Sequence, residues 1–107
     1  VARKQVHPPE GWSRADFEEA VRLRARAAAE RRREQQRWSG PAERGETRVV
    51  GPDGRPISRR RLAERAGREA VVLRSEIDRL VAVAGERFGE AFAEQLRTIA
   101  RAEDAPG

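Results

Sequence analysis

The chain has no cysteine, no methionine and no tyrosine, and it carries one lysine (Lys4) and one histidine (His7) among 107 residues. Without a thiol there is no disulfide framework, no thiolate zinc site and no cysteine nucleophile. A single histidine in a proline-flanked segment, with no paired carboxylates beside it, does not make a triad or a metal cluster. Aromatic residues amount to 5%, so the interleaved rings on which single-stranded bases stack are missing. No apolar run approaches the roughly 20 residues that a bilayer span requires. Val1-Ala2-Arg3-Lys4 leads into polar sequence and not into a signal-peptide core. These absences read as a cytoplasmic protein that is not an enzyme, has no cofactor or metal, takes no small-molecule substrate and binds no membrane.

What is present is charge. Charged residues make up 38% of the chain against 37% hydrophobic, and Leu, Ile, Val and Phe together number only twenty. So thin a core favours pairing with a second copy or a partner helix. The net charge is only +5, so acids and bases are mixed in the manner of solvated helices with ion pairs along their faces. All but one of the 23 basic residues are arginine. A GC-rich coding sequence also produces that bias, so the count alone names no ligand. Distribution says more: residues 1–60 carry 15 basic and 9 acidic groups, whereas residues 61–107 carry 8 and 9. A basic half beside a near-neutral helical half suits a protein that touches a polyanion with one part and packs with the other.

The periodicity predicts an all-α fold of two or three helices. Residues 1–11, rich in Pro and charge, read as a flexible tail. Residues 12–40 read as a basic N-terminal helix. Ser13 and Asp16 have the spacing of a shortened capping box, and Trp12 and Phe17 occupy the N′ and N4 positions of a hydrophobic staple. Gly40 is expected to stop this helix in a left-handed conformation, with Pro41 preventing its continuation. The apolar stripe of Phe17, Ala20, Val21, Leu23, Ala27 and Ala28 ends before Glu30. From Glu30 to Arg37 no residue is apolar, so roughly two turns must project from the core or lie against something charged.

Residues 41–57 read as a connector. Its tight turn is Gly51-Pro52-Asp53-Gly54, and Thr47–Val50 and Arg55–Ile57 could form a short hairpin confined to an edge by Pro56. Residues 58–103 read as one long amphipathic helix or a broken pair, with Ser58 as N-cap and Ile57 and Leu62 as a second staple. Gly85 to Gly89 is where a break is expected. Residues 104–107 read as a tail. Along this segment Leu73, Ile77, Leu80, Phe88, Phe92, Leu96 and Ile99 form a stripe at spacings of mostly three or four, read as an assembly seam for a homo-oligomer or a partner helix. Val71, Val72, Val81 and Val83 widen it, so a bundle with the first helix or with another subunit is expected more than a strict two-stranded coiled coil.

Arg59-Arg60-Arg61 places three cations in the first turn of a helix, where the macrodipole disfavours them and an anion would relieve the cost. With Arg22, Arg26, Arg31, Arg32, Arg33 and Arg37 of the first helix they are the expected contacts to nucleic acid, duplex DNA more than RNA, mainly through phosphates. Leu62-Ala63-Glu64-Arg65-Ala66-Gly67 invites comparison with the first helix of a helix-turn-helix. The following segment lacks a polar recognition helix, and Glu69, Glu76 and Asp78 would face a negatively charged groove. The alternative is a helical adaptor or small structural subunit whose arginines meet an acidic protein surface.

Overall fold

The computed structural model describes residues 7–40, 50 and 52–104, and within them the chain is all-α: α1 (Arg14–Ser39), α2 (Arg59–Phe88) and α3 (Glu90–Asp104). Each of the first two helices begins with the serine cap that its sequence carries. The Ser13 backbone N–H donates to Asp16 Oδ2 at 2.8 Å and Asp16 N–H donates to Ser13 Oγ at 3.3 Å, which closes the capping box. Arg61 N–H donates to Ser58 Oγ at 3.2 Å. Such a cap contributes about 1 kcal/mol. The first staple is also formed, with the rings of Trp12 and Phe17 edge-on at 5.3 Å.

α1 and α2 run antiparallel. Phe17 meets Phe88, Arg24 meets Glu76 and Arg31 meets Glu69, so rising numbers on one helix pair with falling numbers on the other. α3 turns back along α2 and lies parallel to α1, from Phe92 beside Phe17 to Glu103 beside Arg26. It ends where Asp104 pairs with both Arg32 and Arg74. Beyond that point α1 and α2 continue as a two-helix arm.

The two zones are packed differently. At the three-helix end Phe17, Val21, Leu80 and Leu96 are fully buried, with Ile77, Val81, Ala84, Phe92 and Ala93 around them and Phe88 and Ile99 partly buried against the cluster. Outside that cluster the buried helical residues are all alanines, Ala28 and Ala29 at the base of the arm and Ala63, Ala66 and Ala70 within it. Alanines let two helices approach closely, but each removes far less apolar surface from water than the roughly 1.5–3 kcal/mol side chains of the other end. The thin core is therefore concentrated at one end of the molecule.

Of the partners expected for the apolar stripe, the first helix of the same chain takes its central residues: Ile77, Leu80, Phe92 and Leu96 are buried in one core with Phe17 and Val21 of α1, and only Leu73, Phe88 and Ile99 keep partial exposure. The N-terminal tail is pinned from Pro8 onward, because Pro8 is buried and Arg87 donates to the Pro9 carbonyl at 2.6 Å and the Pro8 carbonyl at 3.0 Å; residues 1–6 lie outside the described residues. Gly40 is extended (φ −78°) and not left-handed, because a residue preceding proline is held out of the helical region without any need for positive φ. Of the expected hairpin, one antiparallel bridge, between Val50 and Pro56, falls among the described residues; Thr47 to Val49 lie outside them, as do 105–107 of the expected C-terminal tail. Asp104 itself still belongs to α3.

The expected break falls on Gly89, at φ 98° and ψ 162°, a region that side-chain-bearing residues rarely enter. Gly85 stays helical, and its missing Cβ brings α3 close: a Cβ there would lie 3.4 Å from that of Ala93. α2 runs unbroken through Gly67, so the turn that a helix-turn-helix needs is absent there.

Gly89→Ala should therefore destabilise the fold by about 1–3 kcal/mol in urea unfolding followed by circular dichroism. Gly11→Ala, at a glycine with open space and no positive φ, should leave the midpoint unchanged. Equal midpoints for wild type and Gly89→Ala would refute the tight α2–α3 turn.

Candidate nucleic-acid interface

Folding α1 against α2 sorts charge along the length of the molecule. The arm, taken as residues 30–40, 50 and 52–72, carries ten arginines and five carboxylates, a net +5. The three-helix end, residues 7–29 and 73–104, carries nine arginines and eleven carboxylates, a net −2. The C-terminal half of α1 and the first turns of α2, 20 or more residues apart in sequence, become one basic surface.

The nine arginines singled out in the sequence do not act alike. Arg22 and Arg26 lie outside the arm and share Glu103 of α3 at 3.8 and 3.0 Å. Arg32 pairs with Asp104, also donates to its carbonyl at 3.4 Å, and keeps a buried Nε with no hydrogen-bond partner among the described residues. Arg31 bridges the two helices, reaching Glu69 at 2.7 Å and Glu34 at 3.0 Å. These four hold helices together.

Arg59 is also spent on the fold. Its Nη2 donates to the carbonyls of Arg37 and Gly40 at 2.8 and 2.9 Å, and its guanidinium lies 5.4 Å from the Trp38 ring centre. Carbonyls at the end of α1 have no helical partner of their own, and a cation there also suits the dipole. The cost of placing Arg59 in the first turn of α2 is thus offset by the last turn of α1. Arg37 rests on the same indole, 4.7 Å from its centre.

Among the described residues Arg60 pairs only with its neighbour one turn on, Glu64, at 3.2 Å, and its side chain is 88% exposed. The side chains of Arg33 and Arg61 are exposed and have no hydrogen bond or ion pair among the described residues. The same holds for Arg68. Arg61, Arg65 and Arg68 follow one another at spacings of four and three along α2, and with Arg55 from the turn they line an open cavity of about 700 Å³. Pro56, Ile57 and Leu62 form part of its wall, and Asp53 and Glu64 are the acids at its edge. Arg55 approaches Asp53 at 4.0 Å and Arg65 pairs with Glu69 at 3.2 Å, which leaves Arg61 and Arg68 as its uncommitted cations.

Arg55, Arg65 and Arg68 were not among the sequence candidates. The four-then-three spacing from Arg61 was visible, but nothing in it showed that the turn at 52–56 would close over that face. Before its acidic tip, α3 pairs its own charges: Arg97 reaches Glu90 and Glu94, and hydrogen bonds from Arg101 and then Arg97 hold the Glu94 carboxyl below the usual carboxylate range. Among the described residues no group of three or more His, Asp or Glu is placed to hold a metal ion, and no helix is long and apolar enough to cross a membrane.

Compared with family models, with curated proteins and with solved structures, the chain matches none of them.

Two neighbouring arginines should consequently respond in opposite ways. Arg59→Ala should lower stability by about 1–2 kcal/mol, since it frees helix-end carbonyls and uncovers Trp38. Arg61→Ala should change it by less than about 0.5 kcal/mol. Urea titrations followed by tryptophan fluorescence measure both; equal effects would show that Arg59 does not lock the arm.

Proposed function

We propose that this chain is a non-enzymatic nucleic-acid-binding protein whose contact surface is the basic two-helix arm. The observation that carries the reading is the sorting of charge to +5 on the arm and −2 at the other end. A phosphodiester backbone is attracted to the first and repelled by the second, so the protein approaches it end-on. Arg61 and Arg68, uncommitted and about two turns apart along α2, take phosphates first, with Arg33, Arg55 and Arg60 adding contacts that require at most the exchange of an exposed ion pair. Such pairs contribute about 0–1 kcal/mol and are readily given up. Arg22, Arg26, Arg31, Arg32 and Arg59 are left out of the contact set, because moving them would open α1 away from its neighbours.

Binding of this kind reads charge spacing and not base sequence, since the contacts proposed here are made to phosphates and not to base edges. Duplex is preferred over single strands, for want of exposed aromatic platforms. Self-association, if it accompanies binding, does not use the apolar stripe of α2 and α3, whose central side chains are already covered.

At moderate salt the protein should bind a random 20-base-pair duplex with roughly micromolar affinity that falls steeply as salt rises. Arg61→Gln with Arg68→Gln should weaken binding severalfold and flatten the salt slope by about two. Arg22→Gln with Arg26→Gln should leave both nearly unchanged. Fluorescence anisotropy across a salt series reads all three, and no binding at low salt would sink the proposal.

A further inference from the structure

Next to the phosphate cavity, with which it shares Glu64 and Arg68, the groove that α3 occupies between α1 and α2 does not stop where α3 stops. Past Asp104 it continues as an open cavity of about 680 Å³, whose floor is Gly67, Ala70 and Val71 and whose rim includes Arg32, Arg68 and Arg74. Val71 is 64% exposed, the most exposed large apolar side chain among the described residues. Gly67 leaves the backbone bare, and only the Gln35 amide covers it, with Nε2 2.7 Å from where a Cβ would stand. Helix-interior glycine costs about 1 kcal/mol relative to alanine, and here it keeps the floor of the groove low.

We infer that this groove docks an acidic amphipathic helix of a partner protein, laid end to end with α3. α3 itself shows the chemistry. It sits on the same two helices by burying Phe92, Ala93 and Leu96, and it is fastened at its acidic tip by Glu103 to Arg22 and Arg26 and by Asp104 to Arg32 and Arg74. Arg32 and Arg74 border both the occupied and the open stretch, so the surface is continuous from one to the other. In the open stretch Arg68 carries no ion pair among the described residues, and the one acid on the rim, Glu64, is engaged by Arg60. An incoming helix therefore meets an apolar floor flanked by cations, which selects small or branched apolar side chains on one face and carboxylates beside them. The ten positions of α2 from Glu64 to Leu73 span ~15 Å, room for roughly three helical turns. A nucleic acid has nothing to place on Val71, so this site is distinct from the proposed phosphate contact, with which it shares Glu64 and Arg68.

The test uses the full chain, labelled with nitrogen-15, and two synthetic 15-residue helices with the same leucine and alanine face, one flanked by glutamates and the other by lysines. The acidic peptide should shift the amides of Gly67, Ala70 and Val71, and the lysine peptide should shift none of them. Val71→Gln, at an exposed helical position, should fold normally and weaken the acidic peptide about fivefold or more, while leaving duplex affinity within about twofold. Arg61→Gln should do the reverse, so loss of one activity does not entail loss of the other. Equal binding of the two peptides, full affinity in Val71→Gln, or shifts confined to Phe92, Ala93 and Leu96 from displacement of α3 would each overturn the inference.

Discussion

Three helix ends meet at one ring. Phe17, in the first turn of α1, is fully buried and lies edge-on to Trp12 before it, to Phe88 at the end of α2 and to Phe92 at the start of α3, with centroid distances of 5.3, 5.9 and 6.4 Å. Arg87 covers its ring face at 5.7 Å while its guanidinium holds the Pro8 and Pro9 carbonyls. Edge-to-face pairs add about 0.5–1.5 kcal/mol each beyond the area that they bury. In a chain with so few large apolar residues, this cluster fixes the register of all three helices at one end, and everything beyond it is levered from there.

The consequence is an uneven distribution of stability. Close to Phe17 the helices are held by large side chains that water cannot reach. Along the arm they are held by alanines, by the Arg31–Glu69 pair and by Arg59 clasping the end of α1. Exposed ion pairs contribute little each, so the arm opens at lower cost than the three-helix end. The contacts proposed for a polyanion and for an acidic helix both fall on this less stable part of the fold.

Charge and burial also explain one another. The long polar run Glu30 to Arg37 is compatible with a helix because α2 faces it with alanines and Glu69, so it needs no apolar stripe of its own. Placing the acids Glu103 and Asp104 on Arg22, Arg26, Arg32 and Arg74 neutralises the middle of the molecule. What remains uncompensated lies at the far end, around Arg61 and Arg68.

Local chemistry was legible without coordinates. Ser13, Asp16, Trp12 and Phe17 mark the start of α1, Ser58 marks the start of α2, and Gly89 lies in the stretch where the C-terminal helix was expected to break, because caps, staples and glycine conformations depend on residues within one turn of each other. The all-α class followed from the same periodicities. Which apolar stripe meets which did not: a stripe of Leu, Ile and Phe looks alike whether its partner is a second chain or a neighbouring helix of the same one, and only the tight turn at Gly89 folds it inward. Nor did the sequence tell which arginines are committed, since Glu103 is 77 residues from Arg26 and Asp104 is 72 from Arg32. Read in order, the charge divides into a basic first half and a neutral second half; the antiparallel pairing of α1 and α2 cuts across that division and gathers the cations at one end, because electrostatics acts through space and the chain is joined only by its backbone.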